Sequence, residues 1–251
     1  MRVSAAIPDY FSSLKPFKKY FETGRPSLIY HKIGLRPQKA RIKGLYVTPE
    51  KFRRQMSELA AAGFHTPSYD KPADPANPAK SFHITFDDGF LCVFENALPI
   101  LAEYRFRAIQ FLVVDRIGEY NEWDTPLGDI REPLMDEAQI REWLAAGHEI
   151  GAHSLTHPYL TRVSYREARE EVAASRKKLE DKFGIAIRHF CYPYGDYNEG
   201  IRDLVGDSGY TTACTIHHGL NTHQTPLLEL RRIMARHRSI SLKALKARLV
   251  S

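Results

Sequence analysis

The chain is poor in cysteine: three in 251 residues, Cys92, Cys191 and Cys214, with no two of them at C-x-x-C spacing. An odd number without that spacing encodes neither a disulfide framework nor a thiolate zinc site, and the three read as reduced thiols. Long apolar runs are missing as well. Nowhere do 18 consecutive apolar residues occur, which excludes a membrane-spanning helix. The opening "MRVSAAIPDYFSSLKPFKKYF" sets a proline and charges where a secretory signal needs an unbroken apolar segment. These absences together give the expectation of a soluble, cytoplasmic protein. There is no internal repeat, no low-complexity segment and no basic stretch interleaved with aromatics, so no nucleic-acid partner is expected.

What is present is ordinary for a globular chain, with 43% hydrophobic and 26% charged residues, enough to bury a full core. The formal net charge is +6. Much of it sits in Arg231, Arg232, Arg236, Arg238, Lys243, Lys246 and Arg248, a cluster that reads as a solvated face. A positive field also attracts phosphate and membrane surfaces.

From Ser27 onward short β-rich runs alternate with helical patterns, the signature of parallel βα units. Seven strands are expected, in "SLIYH" (27–31), "SFHITF" (81–86), "AIQFLVV" (108–114), "HEIGAHS" (148–154), "RHFCYP" (188–193), "YTTACT" (210–215) and "LELRRI" (228–233). Thr48-Pro49 starts a helix that Gly63 stops. Asp136 with Gln139, and Ser164 with Glu167, fit the capping box, in which the cap residue and the third helical residue satisfy each other's free backbone donors. "YDKPADPANPAK" (69–80) reads as a surface loop, and the stretch 115–135, with "NEWD", as a lid or substrate loop around Trp123. Such a chain forms a closed barrel or an open sheet, and either way functional groups gather just after the strands.

That is where the chemistry-bearing residues fall. "HITFDDGF" places Asp87 and Asp88 side by side at a strand end, and "HSLTH" sets His153 and His157 four apart, a spacing that brings both imidazoles to one side of a helical turn. Two histidines and one carboxylate are three ligands for a divalent ion that leave room for water and substrate.

"TFDDG" (85–89), "HSLTH" (153–157) and "YPYG" (192–195) resemble the first three motifs of the polysaccharide deacetylases, the NodB-homology domain of carbohydrate esterase family 4. The resemblance runs from "SLIYHKIG" at 27 to "RRI" at 231–233. It implies an irregular (β/α) barrel of about seven strands, an N-terminal extension over 1–26 and one catalytic domain over 27–251. It implies a hydrolase that removes the N-acetyl group of an N-acetylated sugar, with one divalent ion, zinc or else cobalt or nickel, on Asp88, His153 and His157. Asp87 is then the general base, the backbone N–H of Tyr194 the donor to the oxyanion, and Pro193, Tyr194 and Trp123 the substrate contacts. In many members a C-terminal histidine protonates the leaving amine, and this chain has none in "LELRRI". "LIYHKIG" instead resembles the biofilm-polysaccharide deacetylases, which carry the motif at the front of the domain, and makes His31 the expected acid.

Two departures stand out. Where many members carry an arginine two residues before the third-motif proline to orient the base, this chain has Cys191, and Arg232 or Arg188 are the candidates to replace it. The usual fourth-motif tryptophan is missing from "YTTACTIHHGLN", where His217 and His218 receive no role. The competing expectations are an amidase for a non-sugar amide and a degenerate domain that binds glycan or protein. A cytoplasmic location would favour a lipid- or nucleotide-linked sugar precursor, with the membrane or a phosphorylated sugar carrier as a peripheral contact. No obligate protein partner is expected.

Overall fold

The computed structural model describes residues 7–69 and 80–235, so most of the proline-rich loop and the basic residues from Arg236 onward lie outside the described residues. Among the described residues nine strands are present: β1 (Ser27–Tyr30), β2 (Lys32–Ile33), β3 (Tyr46–Val47), β4 (His83–Phe86), β5 (Ile109–Leu112), β6 (Glu149–Ala152), β7 (His189–Cys191), β8 (Thr212–His218) and β9 (Leu230–Met234). Seven of them close into a barrel in the order β1-β4-β5-β6-β7-β8-β9, every pair parallel, and β9 returns to β1 through Leu28↔Ile233 and Ile29↔Met234. All seven expected strands are found, and β2 and β3 form a small separate pair. Among the described residues no helix is long and apolar enough to cross a membrane.

The helices are α1 (Lys18–Phe21), α2 (Pro49–Ala61), α3 (Leu91–Asn96), α4 (Leu98–Tyr104), α5 (Glu137–Ala145), α6 (Tyr165–Phe183) and α7 (Glu199–Asp207). Thr48 caps α2 by accepting from the Lys51 N–H, and both expected capping boxes form, at Asp136–Gln139 on α5 and Ser164–Glu167 on α6. The two longest helices each bury one stripe: Phe52, Met56 and Leu59 on α2, and Ala168, Val172, Leu179 and Phe183 on α6. Residues 7–26 belong to the same packing, since Phe11, Phe17 and Phe21 are fully buried and the Phe11 N–H pairs with the Met234 carbonyl at 2.9 Å.

Strand alternation sorts the side chains into two layers. Ile84, Phe86, Leu112, Ile150, Ala152, Phe190, Ala213 and Ile233 join the large core beneath the helices. Ile109, Phe111, Cys191 and Cys214 form a second, small cluster. Gly151 makes room for it: a Cβ there would stand 2.6 Å from the Phe111 ring and 2.7 Å from the His189 carbonyl oxygen. Alanine at 151 therefore collides with backbone as well as with an aromatic ring.

His148, at the entry to β6, is 6% exposed and stacks on Trp143 with ring centroids 4.3 Å apart. Its Nδ1 accepts the Ala108 N–H at 3.3 Å, which requires the lone pair of a neutral ring. Burial first, then the Arg107 charge, push its pKa down to about 4. Between pH 6.5 and 4 the unfolded chain binds the proton that the folded chain refuses, so folding stability drops as the pH falls through that window. Urea midpoints measured from pH 7.5 to 4 should therefore decline less steeply for His148→Gln than for wild type. Parallel slopes would contradict the assignment.

Candidate active site

The two aspartates part company at the carboxyl end of β4. The Asp87 N–H still pairs with the Tyr30 carbonyl at 3.0 Å, extending the ladder to β1 by one residue. Asp88 then takes φ 77° and Gly89 φ 85°, so the chain turns through the left-handed region at a residue with a Cβ. Such a conformation costs of order 1–3 kcal/mol and persists where surrounding contacts over-determine it. The result is that neighbouring carboxylates face different partners.

Asp87 faces Arg232 of β9. Arg232 Nη1 donates to Asp87 Oδ1 at 2.7 Å and Nη2 to Oδ2 at 2.8 Å, a bidentate pair in which the arginine is 1% and the aspartate 2% exposed. The remaining donors of the guanidinium reach the Thr215 carbonyl (2.9 Å), Thr85 Oγ1 (3.0 Å) and Cys191 Sγ (3.1 Å). Burial alone would raise the Asp87 pKa, but the charge and hydrogen bonds of Arg232 outweigh it and hold the carboxyl below its ordinary value. Arg232 is thus the partner of the candidate base, and its place on the expected solvated face is corrected: the strand pleat turns it inward. Arg188 lies elsewhere, lining a surface depression with His148 and Glu149 around the starts of β6 and β7. Cys191 occupies the space beside the pair, its thiol pushed far up by burial.

Asp88 faces the histidines. His153 Nε2 and His157 Nε2 each stand 3.4 Å from Asp88 Oδ1. Two ligand atoms about 2.0–2.1 Å from a tetrahedral ion are about 3.3–3.4 Å apart, so the three donors fit a divalent ion of that kind. The tautomers agree with this. His153 Nδ1 lies 2.7 Å from the Cys191 carbonyl oxygen, to which it donates, leaving the Nε2 lone pair for the ion. His157 is held neutral, its pKa pushed down to about 3 by burial and the neighbouring His153, and its buried Nδ1 has no hydrogen-bond partner among the described residues. His153 is raised despite its burial, because Asp88 and Asp87 outweigh desolvation when no ion is bound.

One expectation about this pair is corrected. Residues 153–157 form no helical turn; Ser154 (φ 65°) and His157 (φ 69°) are both left-handed, and it is this reversal that brings the rings together. Glu171 on α6 pins the turn, accepting the Leu155 and Thr156 N–H groups at 2.8 and 2.9 Å.

His31 follows β1, and its Nε2 stands 3.9 Å from Asp87 Oδ2. Burial lowers its pKa, opposed by the charges of Asp88 and Asp87. Tyr194 has φ 58° in the turn after β7, and its backbone N–H makes no hydrogen bond among the described residues. All of these groups line one cavity of about 180 Å³ at the carboxyl ends of the strands. Trp123 lines it too, stacked on His157 at 4.7 Å. Pro193 is not among the lining residues; it is buried at the start of the turn that carries Tyr194. Sequence reasoning missed Tyr159, stacked on Tyr194 at 3.9 Å, and Asp124, a buried carboxylate in the cavity wall. Neither sits in a recognisable motif, although Asp124 closes the "NEWD" segment. His217 and His218 lie on the exposed end of β8.

Fold and site define the class: a closed parallel barrel with a carboxylate–histidine cluster that could hold an ion and a second, arginine-held carboxylate at its carboxyl mouth. The sequence model for polysaccharide deacetylase matches residues 74–213, more than half of the chain. The chain belongs to the polysaccharide deacetylase family, a family of hydrolases. It is 25% identical over 213 residues to the YxkH protein of Bacillus subtilis, a polysaccharide deacetylase by name, covering 83% of this chain and 70% of that one. It is 31% identical over 134 residues to a chitooligosaccharide deacetylase of Sinorhizobium fredii, covering 52% of this chain and about half, 54%, of that protein. A crystal structure of the polysaccharide deacetylase BC0361 from Bacillus cereus superposes with a TM-score of 0.74 at 25% identity, over 90% of this chain and 69% of that one.

Removing one member of a buried ion pair strands the other, at a cost of about 3–5 kcal/mol. Arg232→Gln should lose stability of that order in urea unfolding. The Asp87→Asn/Arg232→Gln double variant should lose clearly less than the two single variants summed. Additive losses would mean that the pair is not coupled.

Proposed function

We propose that the chain hydrolyses the N-acetyl group of an N-acetylated sugar, releasing acetate and leaving a free amine. The observation that carries this reading is the separation of the two adjacent aspartates, one turned to a pair of histidines and the other held ionised by an arginine. Asp88, His153 and His157 are the residues that would hold a divalent ion. Such an ion, when bound, polarises the acetamide carbonyl and makes its bound water more acidic.

The chain's own groups account for the proton traffic. Asp87, ionised and fixed by two hydrogen bonds, accepts a proton from the attacking water as its oxygen bonds to the acetamide carbon. The Tyr194 N–H, free of any partner among the described residues, donates to the oxygen that gains negative charge. When the C–N bond breaks, the proton that Asp87 took from the water passes to His31, whose Nε2 stands 3.9 Å from Asp87 Oδ2, and from His31 to the departing amine. Its depressed pKa makes the imidazolium, once formed, a ready donor. The arginine that the third motif lacks is supplied by Arg232, which removes the main support for a degenerate binding domain. Named relatives act on related sugars: one is a chitooligosaccharide deacetylase and another a poly-β-1,6-N-acetylglucosamine N-deacetylase of Staphylococcus aureus.

The test is acetate release from N-acetylglucosamine oligomers, β-1,4- and β-1,6-linked, by protein supplied with zinc, cobalt or nickel. Asp87→Asn should lose at least about 10²-fold in kcat, the lower range for removing a general base, while keeping its metal content. Asp88→Ala should lose the metal itself in elemental analysis. Acetate release by Asp87→Asn at the wild-type rate would remove it as the base, and metal retained by Asp88→Ala would remove the ligand set.

A further inference from the structure

Asp124 is a carboxylate that the reaction above does not use. It is 4% exposed and lines the same cavity as Asp88, His157 and Tyr194. One of its oxygens, Oδ2, accepts from Asn121 Nδ2 at 2.7 Å. The other receives no hydrogen bond among the described residues. Asn121 is itself fully buried, and its Oδ1 accepts the Glu132 N–H at 2.6 Å, so a buried amide fixes the carboxylate to the loop. The loop is anchored in turn: Asp129 accepts the Arg41 and Ile42 N–H groups at 2.8 and 3.1 Å, and Ile42 lines the cavity. A carboxylate on so rigid a mount, with one acceptor oxygen unspent, has the form of a recognition group.

The charges around it narrow what it recognises. Among the described residues the cavity wall holds three carboxylates and three histidines but no lysine or arginine. Arg232 is spent on Asp87, Thr85, Thr215 and Cys191, and the buried Lys32 ammonium is paired with Glu132. The Asp87–Arg232 pair is neutral, and the two positive charges of a divalent ion would be balanced by Asp88 and Asp124 together. Burial and the Asp88 charge push the Asp124 pKa up to about 6, the mark of a group that shares a field with the ion site. Among the described residues of the wall no cationic side chain stands ready to pair with a phosphate, sulfate or carboxylate on the sugar, whereas Asp124 would accept from a hydroxyl.

We propose that Asp124 accepts a hydrogen bond from the sugar hydroxyl adjacent to the reacting acetamide, and that its charge excludes acetamido sugars bearing an anionic group at that position. This rests on the deacetylase reading above and names its substrate class: sugars uncharged beside the acetamide. It speaks against a substrate phosphorylated there.

The test uses zinc-loaded wild type, Asp124→Asn, Asp124→Ala and Asp124→Glu, with N-acetylchitotetraose and its 3-O-sulfated derivative as probes. Fold and metal content of each variant are checked first by circular dichroism and elemental analysis. A hydrogen bond to a charged acceptor made equally in the ground and transition states raises KM when lost, so Asp124→Ala should lose about 10–100-fold in kcat/KM on the neutral oligomer, most of it in KM. Asp124→Asn, of the same shape without the charge, should narrow the preference for the neutral oligomer over the sulfated one by at least about tenfold, and Asp124→Glu should retain that preference. An unchanged KM and an unchanged preference in both the Asn and Ala variants would overturn the proposal. If wild type releases acetate from neither probe, it is the deacetylase reading for these sugars that fails. Asp124 is then judged by oligosaccharide affinity alone, and equal dissociation constants for wild type and Asp124→Asn overturn it.

Discussion

The buried pair between Asp87 and Arg232 is the interaction on which the rest of the site depends. Taking two charges out of water costs several kcal/mol each, about the amount that close, fully hydrogen-bonded contact returns. Here the return is nearly complete, because five contacts drawn from β4, β7 and β8 and their ends saturate the guanidinium of β9. β9 is also the strand that closes the barrel on β1. Barrel closure and the placement of the candidate base are therefore one structural event. A chain that fails to dock β9 leaves Asp87 as an uncompensated charge in the barrel mouth.

The pair also explains how two neighbouring aspartates come to face different partners. Asp87 continues the β4 ladder and points to the arginine; Asp88 leaves it through a left-handed turn and points to His153 and His157. Strain is concentrated at the same mouth, where Asp88, Ser154, His157 and Tyr194 all have positive φ without being glycine. The surrounding framework holds these conformations: Glu171 grips the turn at 154–157, and the flanking strands fix its entry. Rigid βα units carry a strained, charged rim, the usual division between scaffold and site in parallel barrels.

Much of this was legible in the sequence, for local reasons. Strand composition, capping residues and helical stripes are short-range signals, and they located all seven barrel strands and both capping boxes. The candidate ion-binding residues were legible because their spacing follows strand ends. What was hidden depends on contacts across the fold. Arg232 meets Asp87 across 145 positions: the sequence offered it beside Arg188 as a replacement for the missing arginine while also counting it in the basic cluster, and only the pleat of β9 in a closed barrel turns it inward and decides between them. The spacing of His153 and His157 pointed to a helical turn because four residues is the helical period, yet a double left-handed reversal gives the same proximity. Asp124 has no motif, and its meaning depends on a cavity that exists only once the 115–135 loop packs against the barrel mouth.

The central claim is that the ion belongs to Asp88 and the proton to Asp87. The structure contains a rival arrangement, since Asp87, His153 and Cys191 also bring one ligand atom each within 4.8 Å of one another. The most direct test is the electronic absorption spectrum of the cobalt-substituted protein, recorded for wild type and Cys191→Ser. Ligation by Asp88, His153 and His157 predicts only weak d–d bands that the serine variant leaves in place. An intense sulfur-to-cobalt charge-transfer band in wild type, abolished in Cys191→Ser, would put the ion on the base side of the site and contradict the account.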